Sequence, residues 1–167
     1  MMVTRPMQLI GPMAAAGVHR YIFHYEVTKE GAETAEPRFS GGEFSVKQLV
    51  DSIRTARMEP SLALNPATPV TAILPLLHLV PAVLVMTVVP GLGGQAFMAE
   101  MMAKVEAIRS CHPSMDIELD GGVSRKVIEL CGRSGANRVV VGTALIRSAT
   151  KSEDVVAMRK ALFPVDN

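Results

Sequence analysis

The sequence predicts an α/β protein built on a parallel β-sheet covered by helices. Short β-branched runs alternate along the chain with stretches of helical period. Several of those runs end in Gly, Pro or Asn turns that lead toward the next helical stretch. The composition, 49% apolar and 20% charged, is that of a globular core, and 167 residues suffice for one domain.

Taken in order, residues 21–24 form the first short strand. Residues 46–57 follow as a helix, with Val46, Leu49, Val50 and Ile53 on one face. Residues 61–64 are a strand stopped by Asn65-Pro66, and 70–79 read as a helix kinked at Pro75. The strand at 83–87 runs into Pro90-Gly91-Leu92-Gly93-Gly94. A strong helix follows at 98–110, with Met101, Met102, Val105 and Ile108 on one side. Residues 115–119 are a strand, 124–131 a helix capped at Ser124, 138–141 a strand and 153–163 the last helix. Residues 1–3 would be the end of a sixth strand. Strands this short alternating with helices leave two architectures, a doubly wound sheet and a (β/α)8 barrel. The polar stretch 28–44, with Gly31, Pro37, Gly41 and Gly42, is expected to protrude as a mobile excursion.

Charge and cysteine usage exclude several function classes. Seventeen basic residues against sixteen acidic ones leave a formal charge of +1, with no basic block of the kind that tracks nucleic acid. Cys111 and Cys131 lack CxxC spacing and read as reduced thiols of a cytoplasmic protein. The longest apolar stretch, 79–89, is interrupted by Pro81 and Thr87 and is too short to span a bilayer. Residues 1–25 carry Arg5 and Arg20 without an acid, as organelle leaders do. Pro6, Gly11, Pro12 and Gly17 break any long amphipathic helix there, so a β/α segment fits better.

Three turns directly after strands carry the chemical signal. Pro90-Gly91-Leu92-Gly93-Gly94-Gln95 lets backbone N–H groups approach an anion without obstruction, or serves as a simple turn. Asp120-Gly121-Gly122-Val123 places an acid at the C-terminal end of a strand, where parallel α/β folds do chemistry; an Asx-turn is the plainer alternative. Val141-Gly142-Thr143-Ala144 runs a strand into a helix start. Together they point to a phosphorylated small molecule, because the last two strand loops of barrel enzymes frequently build a phosphate site.

Val85-Met-Thr-Val-Val-Pro-Gly-Leu-Gly-Gly-Gln95, Ile117-Glu-Leu-Asp-Gly-Gly-Val123 and Val141-Gly-Thr-Ala-Leu-Ile146 resemble, in order and spacing, the signature segments of the ribulose-phosphate 3-epimerase family. Met1-Met-Val-Thr-Arg-Pro6, Ala14-Ala-Ala-Gly17, Tyr21-Ile-Phe-His-Tyr-Glu26 and Leu62-Ala-Leu-Asn-Pro-Ala-Thr68 resemble it too. The departures are Val89 where Glu is usual, Leu92 where Phe is usual, Asn65 where Lys is common, and the 28–44 stretch. The resemblance implies a parallel (β/α) TIM-type barrel of the ribulose-phosphate-binding kind, formed by 1–167 as a single domain incomplete at its N-terminus.

The function so implied interconverts D-ribulose 5-phosphate and D-xylulose 5-phosphate by metal-assisted proton transfer at C3, a step of the pentose phosphate pathway. Asp120 becomes both a metal ligand and one of two acid–base carboxylates. Gly91, Leu92, Gly93 and Gly94 face the substrate, while Gly121, Gly122, Gly142 and Thr143 face its phosphate. Met2 and Met86 match methionines that pack around the reacting carbons, with plain core packing as the alternative. The family's remaining ligands to its divalent ion (Zn, Fe, Mn or Co) are two histidines and an aspartate that precede Met1 in its pattern. His19, His24, His78 and His112 do not replace them by position; His24, at a strand end, either approaches the site or, the favoured reading, serves as a structural histidine. The chain alone is therefore expected not to hold the metal and to be inactive. Alternatives are a non-catalytic phosphosugar-binding remnant and an epimerase of another phosphosugar. A phosphorylated pentulose is the expected partner, with neither nucleic acid nor membrane. Exposed strand edges are expected to make the chain a homo-oligomer.

Overall fold

The computed structural model describes residues 2–32 and 42–163. Five strands, β1 (Arg20–His24), β2 (Glu59–Leu64), β3 (Ala82–Met86), β4 (Asp116–Asp120) and β5 (Arg138–Val140), follow chain order in one sheet. All five lie within a residue or two of where the sequence predicts strands. By its contacts the chain divides into two compact units, Met1–Leu84 and Val85–Asn167.

In the first unit, β1 and β2 are parallel, in register from Arg20↔Glu59 to His24↔Ala63. Pro60 to Leu64 of β2 are all buried, the unbroken pattern of a strand covered on both faces. Helix α2 (Val46–Thr55) buries the four residues its period predicts, Val46, Leu49, Val50 and Ile53. Its start is a capping box. Ser45 Oγ accepts from Gln48 N–H at 3.2 Å, and Gln48 Oε1 accepts from Ser45 N–H at 2.9 Å. The Glu30 carboxylate takes a further orphan donor, Val46 N–H, at 3.1 Å.

Three local differences have identifiable causes. Residues 2–3 are not in a strand, and a short helix, α1 (Ile10–Ala15), follows a 3₁₀ turn at Pro6–Leu9. Pro12 is tolerated in α1 because it lies in the first turn, where its missing N–H would have no partner. The 70–79 stretch is not an α-helix but two 3₁₀ segments, Val70–Ala72 and Leu74–Leu79. Pro75 supplies no donor to an α-helical ladder, whereas the shorter segments still bury Ile73 and Leu77 completely. Of the expected excursion 28–44, residues 33–41 lie outside the described residues. Its base is closed by Lys29 N–H donating to the Phe44 carbonyl at 3.0 Å.

Below the base of that excursion, Glu26 is buried with 1% of its surface exposed. Its carboxylate accepts from Asn65 N–H at 2.8 Å and from the Thr68 hydroxyl, and lies 3.3 Å from His24 Nδ1. Burial pushes the Glu26 acid up, but the bonds from His24, Asn65 and Thr68 outweigh it and hold it below its ordinary range.

In the second unit, β4 and β5 are parallel, with Asp120 opposite Val140. Helix α3 (Met102–Cys111), entered through a 3₁₀ turn at Ala99–Met101, buries Met101, Met102, Val105 and Ile108 as its sequence predicts. Helix α4 (Ile128–Arg133) starts later than its sequence suggests. The carbonyl of Ser124, rather than a side-chain cap, receives Val127 and Ile128 N–H, both at 3.1 Å. A four-residue helix, α5 (Thr143–Ile146), follows β5, and α6 (Lys151–Leu162) closes the unit. A Cβ on Gly132 would come within 2.7 Å of the Leu162 carbonyl, so α4 meets α6 at a distance only glycine permits.

Candidate functional site

The site is built at the ends of β3, β4 and β5 by the loops that leave them. Thr87, fully buried, joins the first two. Its N–H donates to the Asp120 carbonyl at 2.9 Å, and its hydroxyl donates to the Gly121 carbonyl at 2.6 Å. Its own carbonyl accepts from Met98 N–H at 2.9 Å, so both ends of the 87–98 loop are held at one residue.

Two glycines of the second loop are required by contact as well as by backbone. Gly121 has φ +124°, and a Cβ there would meet Val88 Cγ2 at 2.4 Å. Gly122 has φ +65°, and its Cβ would come 2.6 Å from the Phe97 nitrogen. The Asp120-Gly121-Gly122 turn is thus seated directly on the loop after β3. The third loop reaches the same place, since a Cβ on Gly93 would lie 3.9 Å from Thr143 Oγ1.

All the residues that the sequence marks on these loops therefore belong to one unit. Gly91, Leu92, Gly93 and Gly94 are exposed, Leu92 by 79%. Asp120 and Gly121 are half-buried at the end of β4, Gly122 is exposed, and Gly142 is exposed with nothing within 4 Å of where its Cβ would stand. Thr143 is half-buried. Among the described residues, the backbone N–H groups of Gly93, Gly94, Gly122, Gly142 and Thr143 make no turn, loop or cap hydrogen bond to a backbone carbonyl. Unspent donors on neighbouring glycine loops form a concavity suited to an anion. A cavity of about 200 Å³ adjoins, lined by Ser124, Arg125, Lys126 and Ala144 among others, with Arg125 paired to Asp154 at 2.9 Å.

The two methionines differ. Met86, at the end of β3, is buried with 1% exposed, while Met2, in the other unit, is 54% exposed. Thr87 and Gln95 carry much of the loop geometry, yet sequence reading did not single them out. Their positions, one at a strand end and one closing a glycine run, are the only signal they give.

Among the described residues no group of three or more His, Cys, Asp or Glu side chains is placed to hold an ion. The four histidines do not change this: His24 faces Glu26, His19 and His78 are exposed, and His112 ends α3. A divalent ion needs several protein donors, so the described residues do not fit one. Cys131 is buried, and burial raises its thiol to about 11, the opposite of a metal-binding thiolate.

Comparison with known proteins gives a consistent picture. Residues 1–146 match the model of the ribulose-phosphate 3 epimerase family. The chain is 39% identical over 165 residues to the cytoplasmic isoform of ribulose-phosphate 3-epimerase from Oryza sativa subsp. japonica, covering 97% of this chain. It is 35% identical over 163 residues to the ribulose-phosphate 3-epimerase of Schizosaccharomyces pombe, covering 98%. The chain spans 66% and 65% of the lengths of these two relatives, just under two thirds. Among solved structures, a 3-hexulose-6-phosphate synthase aligns with TM-score 0.63 at 14% identity, covering 95% of this chain and 69% of that one. The Salmonella typhimurium protein of that name aligns with TM-score 0.64 at 12% identity, covering 94% and 67%. At such identities the likeness shows the fold alone, that of the (β/α) TIM-barrel class.

Proposed function

Because the chain belongs to the ribulose-phosphate 3-epimerase family, we propose that it binds a phosphorylated pentulose and serves the 3-epimerisation of D-ribulose 5-phosphate and D-xylulose 5-phosphate. The observation that carries this reading is the meeting of three strand-end loops, with Gly93 beside Thr143 and Gly121 and Gly122 seated on the loop after β3. Gly121, Gly122, Gly142 and Thr143 receive the phosphate on backbone N–H groups. Gly91, Leu92, Gly93 and Gly94 lie along the sugar, and Met86 packs near its carbons.

Asp120 is the acid–base group of this chain. Epimerisation removes the C3 proton on one face and returns one on the other, so a single carboxylate performs half of the exchange. The family's metal would be held by Asp120 together with ligands that the described residues do not provide. The reaction site is proposed to be cytoplasmic, in line with the name of the rice relative, and no helix of the described residues is long and apolar enough to cross a membrane. Self-association is proposed as well, since β1 and β5 end the strand order.

The absence of a metal-binding group among the described residues favours one second reading, a phosphosugar-binding protein without turnover. A coupled assay for xylulose 5-phosphate separates the two, run with Zn²⁺, Fe²⁺, Mn²⁺ or Co²⁺. The 167 residues alone should show no turnover. An added polypeptide carrying two histidines and an aspartate in the family's positions should restore it, and Asp120→Asn should then abolish it. Metal-dependent turnover by the 167 residues alone would overturn the division of labour. Failure to bind xylulose 5-phosphate in a folded sample would overturn both readings.

A further inference from the structure

The loop that brings Gly93 to Thr143 has little of its own to hold it. Gly91, Gly93 and Gly94 have no side chains, and Leu92 is 79% exposed. One side chain does what they do not. Gln95 Nε2 donates to the Val89 carbonyl at 2.6 Å and to the Leu92 carbonyl at 2.8 Å. Two carbonyl oxygens at this range can be met only by the NH₂ end of the amide, which carries two protons. Both protons are spent on the loop itself, which ties its start and its middle to its end.

We propose that Gln95 is a positioning residue of the candidate anion site, a latch that keeps the glycine-rich loop in the form that faces Thr143. This rests on the reading of the three loops as a phosphate site and adds how one of them is shaped. Without the latch the loop samples many conformations. The N–H groups of Gly93 and Gly94 then have to be ordered by the ligand, and that cost weakens binding. Gln95 touches the anion in no step of this account; it acts through the backbone that does.

The test uses the full chain, with inorganic phosphate as probe and amide relaxation by NMR as a second readout. Gln95→Met keeps the length and removes the donors. It should weaken phosphate binding roughly tenfold, the worth of about one net hydrogen bond, and increase fast motion of the Leu92, Gly93 and Gly94 amides at an unchanged melting temperature. Gln95→Lys restores donors to the two carbonyls and should return those amides to native order. Its added charge also favours phosphate directly, so the loop order, not the affinity, is the decisive readout for that variant. Loop amides as rigid in Gln95→Met as in the native chain would overturn the proposal, whatever happens to affinity. If the unsubstituted chain binds no phosphate, the phosphate reading falls and the positioning role with it. A loop that then loosens in Gln95→Met would mark a purely structural latch.

Discussion

The Thr87 hydroxyl donates to the Gly121 carbonyl at 2.6 Å, joining the end of β3 to the turn that follows β4. Thr87 is fully buried and Gly121 half-buried, so replacing the hydroxyl removes a hydrogen bond that pins the turn to β3. Thr87→Val, which keeps the shape, should cost about 0.5–1.5 kcal/mol, and Thr87→Ser should cost less. Urea midpoints of the three chains check this, and equal stability of the Val and native chains would refute it.

Gly121 and Gly142 should part company on substitution. Gly121→Ala forces a Cβ against Val88 at a φ of +124°, and should destabilise by about 1–3 kcal/mol. Gly142→Asp meets nothing within 4 Å at its Cβ, so the fold should be kept. Its carboxylate would stand where an anion is expected, and phosphate affinity should fall at least about tenfold. Thermal melts with phosphate titration separate the two effects.

Glu26 gives an acid-sensitive term to stability. Its folded-state acid is held below the ordinary value of 4.5, because the bonds from His24, Asn65 and Thr68 outweigh burial. A depressed carboxyl contributes stability that is fully present above the unfolded value and is lost as pH falls through the folded one. Glu26→Gln should therefore lower stability at pH 7 by about 1.5–3 kcal/mol. The gap to the native chain should narrow progressively below about pH 4.5. Urea midpoints at neutral and acid pH measure it, and a gap that widens in acid would refute it.

The two cysteines should react very differently. Cys111 is exposed at the end of α3, whereas Cys131 is buried in α4 with its thiol raised to about 11. An aromatic disulfide reagent at pH 8 should titrate one thiol in the native chain and two in denaturant. Cys111→Ser should remove the fast thiol, and a native titre of two would contradict the burial of Cys131.

The alternation of strands and helices is legible in the chain alone, because both depend on local period. The β-branched runs of β3 and β5 and the apolar spacing of α2 place their elements within a residue or two, whereas α3 begins four residues after its expected start, behind a 3₁₀ turn. The sequence also put Asp120 and the glycine runs directly after strands, where simple turns and an Asx-turn stayed open as their plainer use. The rest was settled by contacts between residues far apart in the chain. Pro75 was legible as a breaker, but the choice of 3₁₀ turns rather than a kinked helix depends on burying Ile73 and Leu77. His24 became a structural histidine only when β1 and β2 aligned to bring Asn65 and Thr68 to Glu26. Thr87 could be assigned no role until the Gly121 carbonyl stood 2.6 Å away. Such hydrogen bonds leave no periodic trace, because their strength depends on distances that many packed side chains set together.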